Sequence, residues 1–108
     1  MTKDPPSRHD RMSPWRVLAV VMPAYNEAAT IQAVVLRVLQ QPEVGQLVIV
    51  DDASRDATAD IVLSLAHSDP RINFLTHPHN QGKGAALRTG IAAASLPFLI
   101  IQDADLEY

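Results

Sequence analysis

The chain has 108 residues, room for one small domain rather than two. Twelve acids against nine Lys and Arg leave a formal net charge of −3, which argues against a nucleic-acid partner, because such proteins usually carry a basic excess. There is no cysteine, so disulfides and thiolate metal sites are excluded, and the composition suits a reducing compartment.

The first fifteen residues, MTKDPPSRHDRMSPW, carry Pro, Ser and mixed charge without an apolar core. They read as a disordered tail rather than a secretory signal. The structured domain is expected over 16–108. Residues 16–22, RVLAVVM, form a short apolar run ahead of Pro23, the pattern of a fully buried strand. Asn26 is placed to cap a following helix, with Glu27 in its first turn. Ile31, Val34, Val35, Val38 and Leu39 then recur at helical spacing, and Pro42 and Gly45 end the segment.

The second strand is expected over 46–50, QLVIV. Ser54 or Asp56 can cap a second helix whose inner face carries Ile61, Val62, Leu65 and Ala66, and Asp69-Pro70 breaks it. A third strand, INFLT, spans 72–76. A Gly-bearing turn over 80–83 leads into a third helix from about Gly84 to Ala94, with Ala85, Ala86, Ile91 and Ala94 toward the sheet. Pro97 precedes the fourth strand, FLIIQ at 98–102, which reads as buried. None of the apolar runs approaches the roughly 20 residues needed to span a bilayer.

Strict alternation of four strands and three helices implies an α/β fold: a parallel sheet of about four strands with helices on both faces. Ligands of such folds bind beyond the carboxyl ends of the strands. Those ends carry Pro23-Ala24-Tyr25-Asn26-Glu27, Asp51-Asp52, His77-Pro78-His79-Asn80 and Asp103-Ala104-Asp105. Polar groups from four places should therefore meet on one rim.

Each group has a structural alternative. Asp103, Asp105 and Glu107 stand at i, i+2 and i+4, so an extended backbone would turn three carboxylates one way. Such carboxylates repel unless a cation sits among them, and hard oxygen ligands suit Mg2+ or Mn2+. The alternative is a turn or a helix cap. Asp52 can accept hydrogen bonds from a ribose or a base, if Ser54 and Asp56 suffice to start the helix. Tyr25 can stack on a base or simply pack at an edge. Lys83, between two glycines at a helix start, suits a phosphate, although the Walker pattern is not matched. His77 and His79 have no third nitrogen ligand nearby in sequence and read as loop residues.

In order, the segments VVMPAYNEAATI, LVIVDDASRDAT, NQGKGAALRTG and FLIIQDADLEY closely resemble the N-terminal half of family 2 glycosyltransferases with the Rossmann-like GT-A fold. The nearest branch is that of dolichyl- or polyprenyl-phosphate mannosyl- and glucosyltransferases. The resemblance covers about residues 17–108. It implies nucleotide contacts from Pro23, Ala24, Tyr25, Glu27, Asp52, Lys83, Asp103 and Ala104. It also implies a Mg2+ or Mn2+ held by Asp103, Asp105 and Glu107. The donor would be a nucleotide-diphosphate sugar of the GDP-mannose or UDP-glucose type, the acceptor a lipid phosphate and the reaction inverting. The location would be cytoplasmic, at the cytoplasmic face of a membrane. The sequence departs from the family by stopping at Tyr108, just past the D-x-D. The expectation is a truncated domain that lacks the acceptor half and does not turn over substrate alone.

Two alternatives stand beside this reading. IVDDAS and FLIIQDADL also resemble response-regulator receivers, a signalling module, but that leaves 17–27 unexplained and lacks the downstream Thr and Lys. The chain could also be an inactive nucleotide-binding remnant.

Overall fold

The structure, a computed structural model, describes residues 15–105. The tail expected over 1–15 therefore lies outside the described residues, except for Trp15. Seven elements alternate as anticipated. They are β1 (Leu18–Ala24), α1 (Ile31–Leu39), β2 (Val44–Asp51), α2 (Thr58–Ser68), β3 (Ile72–Thr76), α3 (Lys83–Ala93) and β4 (Phe98–Ile101). All strand pairs are parallel and the sheet order is β3-β2-β1-β4. The chain steps outward from β1 to β2 to β3, then returns to the other side of β1. The gap between the carboxyl ends of β1 and β4 is thus the topological switch point, where open α/β sheets bind ligands. A receiver would instead place its third strand beside the first. Here β3 lies beside β2, which removes the receiver alternative.

The period-two alternation of β1 divides the core. Val20, Met22 and Ala24 face α1 and α2 and pack with Ile31, Val34, Val35, Leu47, Ile49 and Val62. Val21 faces the other way and packs with Val48, Val50 and Ala86 of α3. Helices therefore cover both faces, as expected. The anticipated inner stripes of α1 and α2 do face this core, with Val38, Leu39, Ile61, Leu65 and Ala66 partly buried.

Several local expectations change. β1 runs on through Pro23, which the sequence suggested as its boundary. The carbonyls of Val17 and Val21 point to β4 and that of Ala24 to the β2 side. Alternation turns the Pro23 imide toward β4, whose last paired residue is Ile101 opposite Val21. No ladder bond is lost there, so proline is tolerated in a central strand. Arg16, just ahead of β1, is anchored by its guanidinium, which donates to the Val44 carbonyl at 2.9 Å. Gly45 belongs to β2 and does not end α1. Asn26 does not cap α1, which begins at Ile31 with no acid in its first turn.

The fourth strand is not buried. All four of its residues are exposed, Phe98 at 62%, because β4 pairs only with β1 and no described element covers it. On α3, Ile91 faces outward, and the buried positions are Ala86 and Gly90. The helix meets the sheet through its smallest residues. A β-carbon on Gly90 would stand 2.4 Å from Val21 Cγ1 and 3.3 Å from Val50 Cγ2. Both valines are stiff, buried strand residues, so neither can rotate aside. Gly90→Ala should therefore destabilise the chain by about 1–3 kcal/mol through overpacking, against a helix-propensity gain of up to about 1 kcal/mol. Urea unfolding followed by circular dichroism measures the balance. An unchanged or raised midpoint would show that α3 can lift from the sheet freely.

Candidate functional site

At the switch point lies a cavity of about 420 Å³ lined by Pro23, Ala24, Tyr25, Glu27, Asp52, Asn80, Gly82, Lys83, Ala86, Asp103, Ala104 and Asp105. All eight residues proposed from sequence to touch a nucleotide line it, and so does Asp105. Glu107 lies outside the described residues. Asn80, expected on the rim, and Gly82 and Ala86, for which no ligand contact was expected, complete the lining.

Each wall has a local cause. After β1 the chain turns at Asn26, which adopts φ 54°, and Ala53 after β2 adopts φ 64°. These left-handed residues are held by a mutual clasp. The Asn26 amide donates to Ser54 Oγ at 2.8 Å, and the Arg55 amide donates to Asn26 Oδ1 at 2.8 Å. Ser54 Oγ in turn donates to the Asp51 carboxylate. The Glu27 amide donates to Thr58 Oγ1 and the Ala28 amide to Asp56 Oδ2, which ties the β1 loop to the start of α2. Asn26 and Asp56 were both expected at helix starts. Asp56 does accept the Thr58 amide at 2.9 Å, whereas Asn26 serves to join the two loops. Tyr25, 42% exposed, stands on the rim between this cavity and a second one that includes Arg55 and His79.

Asp52 is the anchor of the cavity floor. The sequence suggested that Ser54 and Asp56 would leave its carboxylate free, but it is already engaged. Oδ1 meets His77 Nδ1 at 2.7 Å and accepts the Gln81 amide at 2.9 Å, and Oδ2 accepts the Gly82 amide at 2.8 Å. The Asn80 side chain adds a bond to the Asp52 carbonyl at 3.2 Å. Of roughly four lone pairs on a carboxylate, one remains, on Oδ2. Burial raises the carboxyl pKa, but the bonds from His77, Gln81 and Gly82 outweigh it and hold Asp52 below the ordinary aspartate range. His77, which sequence reading left as a loop residue, is thus built in. Its other nitrogen meets Thr89 Oγ1 at 2.9 Å. The register contained the signal: Asp51 pairs with Thr76, so the next residues, Asp52 and His77, stand side by side.

Lys83 opens α3 after Gly82, whose φ of 97° suits glycine. Its ammonium donates to Asp103 Oδ1 at 2.7 Å across the mouth, with side chains 61% and 50% exposed. The extended path expected from Asp103 is not followed over the described residues. The chain bends at Ala104 and Asp105, and the buried Ala104 carbonyl accepts Thr30 Oγ1 at 2.9 Å. Both aspartates still line the cavity. Among the described residues no three metal-ligating side chains gather into one cluster. The lining nevertheless sets four carboxylates, Glu27, Asp52, Asp103 and Asp105, against one lysine.

The sequence profile of glycosyl transferase family 2 matches residues 19–108. The chain belongs to that family. It is 35% identical over 94 residues to a dolichyl-phosphate β-glucosyltransferase of Trichomonas vaginalis, covering 79% of this chain and 28% of the relative. A mannosyltransferase from Pyrobaculum calidifontis, solved with GDP-mannose and Mn2+, superposes with a TM-score of 0.75 at 29% identity, over 82% of this chain and 27% of that one. Glucosyl-3-phosphoglycerate synthase from Mycobacterium tuberculosis, solved with Mn2+, UDP and phosphoglyceric acid, gives 0.68 at 30% identity over 84% and 34%. The family 2 chain thus spans about a third or less of the length of these relatives, and its fold is that of GT-A glycosyltransferases. No helix among its described residues is long and apolar enough to cross a membrane.

Asp52 makes the stability of this family 2 chain sensitive to acid. Its folded pKa is depressed from 3.8, so its contribution is present above that value and is lost as pH falls through the folded pKa. Asp52→Asn sets an amide N–H2 against donors and should cost about 1–3 kcal/mol at pH 7. The difference from wild type should shrink below pH 3.8, which urea titrations at both pH values measure. A difference independent of pH would remove Asp52 as the anchor.

Proposed function

We propose that residues 16–108 are the nucleotide-sugar-binding part of an inverting, cation-dependent glycosyltransferase. It moves a sugar from a nucleotide-diphosphate sugar of the GDP-mannose or UDP-glucose type to a polyprenyl-phosphate acceptor. The reaction takes place at the cytoplasmic face of a membrane. The observation that carries the reading is that Lys83, Asp103 and Asp105 line the switch-point cavity together with Tyr25 and Asp52. The Trichomonas relative supports the lipid-phosphate acceptor by its name, and the two solved neighbours support the donor and the cation by their bound ligands.

In this reading Tyr25 stacks on the base at the rim, and Asp52 offers its remaining lone pair to an N–H or O–H of the nucleoside. Lys83 lies where the diphosphate would sit. An anionic diphosphate entering a lining of four carboxylates and one lysine meets repulsion, so the donor set calls for a divalent cation. Asp103 and Asp105 would hold it, since Mg2+ and Mn2+ are bound by one or two carboxylates together with substrate phosphates. When bound, the cation supplies neutralisation of the charge that builds on the departing diphosphate. Lys83 adds to that neutralisation from the helix start, once its bond to Asp103 is exchanged for one to phosphate. Inversion requires the acceptor oxygen to form its bond to the anomeric carbon on the face opposite the breaking diphosphate bond. A lipid phosphate is ionised at neutral pH, so its oxygen needs no general base.

Nucleoside diphosphate and Mn2+ should each raise the other's affinity by the same factor, within the range of about 5–150-fold typical of coupled sites. Calorimetric titration of UDP and of GDP into the chain, with Mn2+ and then with EDTA, measures it. Asp105→Asn keeps shape but removes charge. It should abolish the coupling and spare metal-free binding. Equal affinities with Mn2+ and EDTA in the wild type would sink the cation-dependent reading.

A further inference from the structure

His77 stands one residue beyond β3, outside the lining of the cavity, yet it is tied to the end of β2 and to α3. Its backbone amide donates to the Asp51 carbonyl at 2.9 Å. Its ring lies between Asp52 Oδ1 at 2.7 Å and Thr89 Oγ1 at 2.9 Å, with the side chain 8% exposed. An ionised carboxylate only accepts, so Nδ1 must carry a hydrogen. In the neutral ring Nε2 is then an acceptor, and Thr89 donates its hydroxyl hydrogen. For the neutral ring the contacts select the Nδ1–H tautomer, and they fix the plane of the ring.

The ring is one member of a continuous series. Thr89, two turns into α3, holds His77, and His77 holds Asp52. Asp52 holds the amides of Gln81 and Gly82. Gly82 leads directly into Lys83, whose ammonium reaches Asp103. Helix α3 thereby grips its own leading loop through the side chain just beyond β3 and the carboxylate just beyond β2. Without His77, Oδ1 would lose its shortest contact and Asp52 could rotate about χ2, swinging away from the two amides and redirecting its one open lone pair.

We propose that His77, seated by Thr89, is a positioning residue for the nucleoside diphosphate: it fixes the direction of Asp52 and the path of the Gln81–Gly82 turn, and through them the place of Lys83. This rests on the reading of the cavity as a nucleotide-sugar site, and it adds to that site two residues that line no part of it.

The test uses the 108-residue chain with UDP or GDP and Mn2+ in calorimetry, and amide exchange and ring 15N shifts by NMR without ligand. Asn at position 77 can place an N–H near the site of Nδ1, whereas Gln reaches toward Thr89. His77→Ala should weaken binding about tenfold, as loss of a buried bond to a charged group does. His77→Asn should restore affinity to within about threefold and His77→Gln should not. A filler of core space would be rescued by neither or by both. Without ligand, the ring should show the Nδ1–H pattern, and Gln81 and Gly82 should exchange faster in His77→Ala and recover in His77→Asn. If His77→Ala does not fold, Thr89→Val, which removes only the far contact of the ring, should still speed exchange at Gln81 and Gly82. An Nε2–H ring, unmoved exchange in the folded variants, or a His77→Ala affinity within about twofold of wild type overturns the proposal. If wild-type chain binds neither UDP nor GDP, the nucleotide reading fails, while the exchange and tautomer measurements still decide whether His77 holds the turn.

Discussion

The carboxylate of Asp52 joins the end of β2 to His77 and to the amides of Gln81 and Gly82. A buried carboxylate is costly unless its lone pairs are filled, and one that loses a partner leaves both charge and amide donors unsatisfied. The turn before α3 has no sheet hydrogen bonds of its own. Its course is therefore set chiefly by this group, with the Asn80 side chain on the Asp52 carbonyl beside it, and so is the start of the helix that carries Lys83. The depressed pKa of Asp52 expresses the same fact: the protein stabilises the charged form more than burial penalises it.

Around that anchor, the other loops are fixed by side chains that work between loops, of which Ser54, Asn26 and Asp56 read as helix caps in the sequence. Ser54, Asn26, Asp56 and Thr58 join the turn after β1 to the turn after β2. Left-handed backbone at Asn26 and Ala53 is uncommon for residues with a β-carbon, more so for Ala than for Asn. It persists because reciprocal hydrogen bonds over-determine it. The rim that carries Tyr25 is cross-tied by these bonds, whereas the Lys83–Asp103 pair at the mouth is exposed to water and weakly held. A stiff floor and an exchangeable ion pair at the entrance suit a site whose ligand is itself charged.

Much of this was legible in the sequence, and the misses have physical causes. Strand and helix order followed from apolar periodicity, the carboxyl-end rule brought Pro23, Tyr25, Asp52 and Asp103 together, and the glycine-flanked helix start pointed to Lys83. β4 was misread as buried because FLII has the composition of an interior strand. Composition does not say whether a neighbour covers it. Ile91 was misread as inward because size suggested burial, while the close approach of α3 to Val21 demands the smallest residue, Gly90. The extended carboxylate row failed at Ala104, where a long-range bond from Thr30 bends the chain. His77 was missed because its role depends on register across two strands, which one-dimensional spacing does not carry.

The strand order also explains why the polar residues fall where they do. β1 is central, with β2 and β4 on either side, and β4 ends its pairing opposite Val21, three residues short of the end of β1. The overhang of β1 past β4 carries Pro23 and Ala24 into the cavity without a ladder partner on that side. Proline there has no N–H to leave unsatisfied, so a buried backbone can face the cavity without an orphaned donor. Asp103 and Asp105 follow at once on the far side of the same gap. The cavity is thus the space left where two adjacent parallel strands end at different heights, and its chemistry is whatever the two strands present just beyond their last shared hydrogen bond.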